Sequence, residues 1–173
     1  MAASKRITLL RHAKAQQPAA GMADRDRPLS ERGEQDARMI GRRLRAAGIR
    51  PSLLLTSPAI RALQTARLVA REIGYPLEFL QREADLYLAS PQDMLQLVAR
   101  QDDAFNDILL CGHNPGISEL ANQLTGAGID HLPTCGMVVI EAQISSWSGL
   151  PAGGRLCRFE SPQAGDIGDQ REN

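Results

Sequence analysis

Three short apolar runs constrain this chain more than anything else in it: Ile7-Thr8-Leu9-Leu10, Leu53-Leu54-Leu55 and Ile108-Leu109-Leu110. Each is too short for a helix, and each runs into a polar corner followed by residues with helical periodicity. A strand that is apolar throughout is buried on both faces. When a helix follows it, the pair is the repeating unit of a parallel sheet covered by helices. The polar corners then collect along the carboxyl edge of one sheet, which is where ligands bind in open α/β folds.

The stretches between these runs support that reading. Ser30 is an N-cap for a helix running to about Ala47, with Gly48 as a left-handed stop and Ala37, Ile40, Leu44 and Ala47 on one face. Arg32, Arg38, Arg42, Arg43 and Arg45 form its solvated remainder. Ser57-Pro58 opens a second helix that stops at Gly74, and Ser90-Pro91-Gln92-Asp93 opens a third with the marks of a capping box. Ile117, Leu120, Ala121 and Leu124 give a fourth, stopped by Gly126. Residues 75–79 read as an edge strand, and residues 137–141 and 155–160 as a neighbouring pair of strands. The order implies one α/β domain over residues 1–160, a three-layer sandwich whose central sheet is mostly parallel. Residues 161–173 lack apolar anchors, so disorder is expected there.

The totals exclude several functions. Lys and Arg number 20 against 20 Asp and Glu among 173 residues, so no general attraction to nucleic acid or membranes is implied. Three scattered cysteines make no CxxC pair and suit a reducing cytoplasm. No stretch approaches a transmembrane span or the core of a signal peptide.

The chemistry is carried by the corners. Arg11 and His12 follow the first run, Arg61 lies in the first turn of the second helix, and His113 follows the third run. Helical side chains lean toward the N-terminus, so Arg61 reaches back over the sheet edge. A cation at a helix N-terminus is unfavourable unless an anion sits between, which is a physical reason to expect a phosphate. Paired histidines also raise metal binding. No carboxylate or cysteine stands at ligand spacing from either, and two arginines beside the site would repel a divalent ion. The set suits an anion with several equatorial oxygens, such as a transferring phosphoryl group, and requires neither metal nor organic cofactor.

Leu10-Arg11-His12-Ala13, Arg27-Pro28-Leu29-Ser30-Glu31-Arg32-Gly33, Ser57-Pro58-Ala59-Ile60-Arg61-Ala62 and Gly112-His113-Asn114-Pro115 resemble, in order, the motifs of the histidine phosphatase superfamily. The RHA form, the RPLS–ERG segment and the short length are similar to its SixA-type phosphohistidine phosphatase branch. The resemblance implies a phosphoglycerate mutase-like fold with His12 as the nucleophile that becomes transiently phosphorylated. It implies that Arg11, Arg61 and His113 bind the phosphoryl oxygens. Thr134 and Gly136 stand where the family often has a Thr-Gly pair, although Cys135 intervenes.

Two questions stay open at this level. An alkoxide leaving group needs a proton, and Glu83 and Asp85 are the mid-chain candidates for the general acid. Their bland alternative is a solvated loop. The resemblance implies a phosphohistidine phosphatase acting on a phosphorylated protein, such as a histidine-phosphotransfer domain. The alternatives are a phosphatase for a small phosphate ester and a non-catalytic module that binds a phospho-ligand.

Overall fold

The computed structural model describes residues 3–162. The expected disorder of residues 161–173 falls, from 163 on, outside the described residues. Six strands form one sheet: β1 (Lys5–Arg11), β2 (Leu53–Thr56), β3 (Gln81–Arg82), β4 (Asp107–Gly112), β5 (Met137–Ala142) and β6 (Arg155–Glu160). Four helices accompany them: α1 (Glu31–Ala46), α2 (Ile60–Ile73), α3 (Pro91–Ala99) and α4 (Gly116–Thr125).

The sheet order is β3-β2-β4-β1-β5-β6. β1 pairs parallel with β4, as β2 does with β4 and β3, while β5 lies antiparallel to both β1 and β6. Successive side chains of a strand face opposite ways, and the core divides accordingly. Ile7, Leu9, Leu53, Leu55, Ile108 and Leu110 pack with Met94, Leu97, Val98, Ile117 and Leu120 of α3 and α4. Leu10, Leu54, Leu109 and Cys111 pack on the other side with Ala37, Ile40, Leu44, Ala62, Ala66 and Val69 of α1 and α2. These are the three layers expected from the apolar runs.

This arrangement dictates where a ligand fits. β1 and β4 are neighbours, with Arg11 in register with Gly112, yet the helices that follow them leave to opposite faces. Such a divergence opens a crevice at the carboxyl ends of the two strands. His12 follows one strand and His113 the other.

Local signals account for most boundaries. Ser30 caps α1 by accepting from Gly33 N–H, and Ser90 and Asp93 complete the capping box of α3. Gly74 and Gly126 end α2 and α4 in the left-handed conformation. Two expectations are corrected. Residues 75–79 are not a strand: Leu77–Phe79 form a single 3-10 turn, and the edge strand begins only at Gln81, beyond Pro76 with its missing N–H donor. Ser57 is not the N-cap of α2, which starts at Ile60 after Ala59; its hydroxyl is used elsewhere.

Candidate active site

His12 sits just past β1, fixed through its backbone. Its N–H donates to Gly112 O at 3.1 Å and its carbonyl accepts from Cys135 N–H at 3.0 Å. The imidazole Nδ1 lies 2.7 Å from Ala13 O. A carbonyl only accepts, so Nδ1 carries the proton and Nε2 keeps its lone pair. Arg61 Nε–H points at that Nε2 from 3.3 Å. Burial, with His113, Arg61 and Arg11 nearby, lowers the pKa of His12 to about 3, so the ring is neutral at physiological pH.

His113 is the second imidazole, with its ring centroid 5.2 Å from that of His12. Arg61 Nη2 stands 3.4 Å from its Nδ1, and arginine only donates; Nε2 therefore holds the proton and gives it to Ser57 Oγ at 2.7 Å. The same hydroxyl accepts from Ala59 N–H at 3.2 Å, which explains why it is not free to cap α2 in the ordinary way. Burial, then Arg61, brings the His113 pKa to about 4.

Arg61 is the hub. Its Nη1 donates to Asp24 O at 2.9 Å and its Nη2 to Asp24 Oδ2 at 3.0 Å. Tyr87 donates its hydroxyl to the same Oδ2 at 2.7 Å, and Arg27 Nη1 donates to Oδ1 at 3.1 Å. The Tyr87 hydrogen bond, then those from Arg27 and Arg61, hold the Asp24 pKa at about 2. Tyr87 packs edge-on against His113, ring centroids 5.6 Å apart. Arg11 donates through Nη1 to Leu132 O at 3.0 Å, while its Nε is buried with no hydrogen-bond partner. A buried charged N–H without an acceptor is costly, and it belongs to a side chain that lines a pocket suited to an anion. Burial and the neighbouring Arg61 lower the Arg11 pKa.

Arg11, His12, Arg61 and His113 line a pocket of about 350 Å³ together with Lys14, Gln17, Arg27, Leu88, Asn114 and Thr134. The loop after His12 is pinned under α1, where a Cβ on Gly33 would meet Lys14 O at 2.1 Å; only glycine allows that approach. Cys135 takes a left-handed φ of 58°, and Gly136 O accepts from Arg11 N–H at 3.0 Å. Among the described residues no three His, Cys, Asp or Glu side chains gather where they could hold a metal ion.

The model of the histidine phosphatase superfamily (branch 1) matches residues 7–89. An uncharacterized protein of Mycobacterium tuberculosis is 34% identical over 165 residues, covering 89% of this chain and 100% of that protein. The chain belongs to the histidine phosphatase superfamily. Among solved structures it is similar to one named as a candidate phosphohistidine phosphatase SixA from Agrobacterium tumefaciens. That chain is 29% identical with a TM-score of 0.79, over 91% of this chain and 98% of that one. A structure named as a candidate phosphohistidine phosphatase SixA from Nakamurella multipartitia shares the fold, with a TM-score of 0.82 at 23% identity over 93% and 98% of the two chains. This is a phosphatase of that superfamily with the SixA-type architecture.

Of the residues singled out in the sequence of this histidine phosphatase, Arg11, His12, Arg61 and His113 come together in one pocket, and Thr134 lines it. Glu83 and Asp85 do not line it. Asp85 is exposed and faces Arg100 at 3.4 Å, in a separate depression with Tyr87 and Asp93. Asp24, Tyr87 and Ser57 enter the site unforeseen. Asp24 sits in the loop of residues 14–28, where no periodicity separates it from Asp26. His131 also joins, 3.5 Å from Arg11 Nη1. A larger cavity of about 530 Å³, lined by Tyr75, Phe79 and Phe105 among others, lies at the amino edge of β2 and β4 and holds none of these groups. No helix among the described residues is long and apolar enough to cross a membrane.

Proposed function

We propose that the enzyme is a phosphohistidine phosphatase acting through a phosphorylated His12. The observation that carries this reading is the tautomer of His12. Its Nδ1–H is tied to Ala13 O, and its unprotonated Nε2 accepts from Arg61 Nε–H in the pocket that Arg11 also lines. In the first step Nε2 attacks phosphorus in line, the Nε2–P bond forms, and the bond from phosphorus to the substrate nitrogen breaks. Ala13 O stabilises the positive charge left on the His12 ring. Arg11 and Arg61, with His113 once it takes up a proton, offset the charge on the phosphoryl oxygens. Water then attacks phosphorus, the Nε2–P bond breaks, and inorganic phosphate leaves.

The leaving group narrows the substrate. Asp24 is the carboxylate bonded to Arg61, and with its pKa at about 2 it has no proton to give at neutral pH. An alkoxide would find no carboxylic acid proton at Asp24. A histidine ring already protonated on its second nitrogen leaves as a neutral imidazole and needs no acid. The exposed Lys14 and Leu88 at the mouth fit a phosphorylated side chain presented by another protein. None of the three cysteines is in a disulfide, which fits a cytoplasmic setting.

The test is to mix the enzyme with a phosphohistidine peptide, quench it, and locate the phosphoryl group by mass spectrometry. The expected result is an acid-labile phosphate on His12, turnover reduced about 10,000-fold or more in His12→Ala, and slow hydrolysis of an alkyl phosphate monoester. A fully active His12→Ala enzyme overturns the mechanism. Preferential hydrolysis of the alkyl ester overturns the substrate.

A further inference from the structure

Leu88 combines a strained backbone with an exposed apolar side chain. Its φ is 50°, in the left-handed region that a branched leucine side chain disfavours. Its side chain gains little from burial, being 56% exposed. It nevertheless lines the pocket that contains His12, Arg61 and His113, and it is the large apolar side chain among mostly polar neighbours. Two contacts hold the segment in this conformation. The preceding Tyr87 packs on His113 and bonds to Asp24. The carbonyl of the following Ala89 is pressed against Gly116, where a Cβ would meet it at 1.9 Å. A bulky residue kept strained and exposed at a pocket mouth marks a functional constraint.

We infer that Leu88 is a specificity-determining residue: it packs against the ring of the phosphorylated histidine and so selects a leaving group with an apolar face. This rests on the phosphohistidine reading above and names what distinguishes that substrate from a smaller acyl phosphate. The charged groups recognise the phosphoryl group, which both substrates share. An apolar contact beside them discriminates by area removed from water, which only the ring supplies.

The experiment compares a phosphohistidine peptide with acetyl phosphate, using wild type, Leu88→Asn and Leu88→Met. Asparagine accepts the left-handed backbone but offers no apolar contact, whereas methionine keeps the contact. In Leu88→Asn the ratio of kcat/KM for phosphohistidine to that for acetyl phosphate falls about tenfold, chiefly through KM. Its Tm stays level or rises, because strain is relieved. Leu88→Met retains the wild-type ratio. An unchanged ratio in Leu88→Asn overturns the contact, as does a Tm several degrees lower, which would make Leu88 structural. A wild type that hydrolyses acetyl phosphate but not phosphohistidine overturns the substrate reading and the contact with it.

Discussion

The two ends of β1 both carry buried cations, and they are treated in opposite ways. At the amino end Lys5 is 3% exposed, and its ammonium donates to Asp103 O, Phe105 O and Asn106 Oδ1, filling all three donors. It also lies 5.2 Å from the ring centroid of Trp147. Next to it Arg6 Nε donates to Asp107 Oδ2 at 2.9 Å. At the carboxyl end Arg11 keeps an unpartnered Nε, and Arg61 spends two of its donors on long contacts of 3.3 and 3.4 Å to neutral imidazoles. The cations of the first set find their acceptors within the protein and stabilise the fold, although Asp107 Oδ1 beside them is buried without a partner. The second is less fully satisfied and belongs to side chains that line the pocket, the usual trade of stability for function.

The sharpest way to break this contrast is to exchange the readouts. Arg11→Ala should lower kcat about 100- to 1,000-fold, the cost of losing a fixed donor to a developing anion. Its Tm should hold or rise, since an orphaned N–H and the repulsion with Arg61 disappear together. Lys5→Met should do the reverse. Turnover stays at the wild-type level, while stability falls by about 3 kcal/mol, or about 6 to 12 °C in Tm for a chain of this size. A Lys5 variant that lost activity but not stability would erase the distinction between the two ends.

Asp24→Asn sharpens it. The carboxylate orients Arg61 but also opposes an incoming anion. Its removal should lower kcat about tenfold through looser positioning, while product inhibition by inorganic phosphate tightens. Weaker phosphate inhibition would mean that Asp24 serves binding rather than orientation. The smallest effect concerns pH. His12 and His113 have folded values of about 3 and about 4, below the ordinary 6.5, so the unfolded chain binds more protons between these limits. Their effect is absent above about pH 7. Stability then falls as the pH drops from 6.5 toward 4. Thermal melts across this range should show a shallower slope in His113→Gln than in wild type. Saturating phosphate should flatten the wild-type slope, because an anion between the groups favours the protonated ring.

Much of this fold could be read directly from the residues, for local reasons. Ile7–Leu10, Leu53–Leu55 and Ile108–Leu110 admit little but buried strands, and the serine caps and glycine stops mark helix ends through hydrogen bonds and φ angles made within a few residues. Where a residue had two uses, local reasoning chose wrongly. Ser57 looked like a cap for α2, but its hydroxyl accepts from His113, a bond that spans 56 positions of the chain. Residues 75–79 looked extended, but Pro76 offers no ladder donor and the strand starts after it.

Sequence alone determined which residues reach the carboxyl edge: Arg11, His12, Arg61 and His113 each follow from a strand end or a first helical turn. Tertiary structure decided what those residues are. The carbonyl of Ala13 sets the tautomer of His12, and burial keeps both imidazoles neutral. The carboxylate that serves Arg61 is Asp24, in a 3-10 turn, and Glu83 and Asp85, the candidates for the general acid, do not line the pocket. The reason is physical. Secondary structure follows from interactions between near neighbours, whereas tautomer, charge state and the partner of a guanidinium are set by groups that only the folded chain brings within 3 to 4 Å.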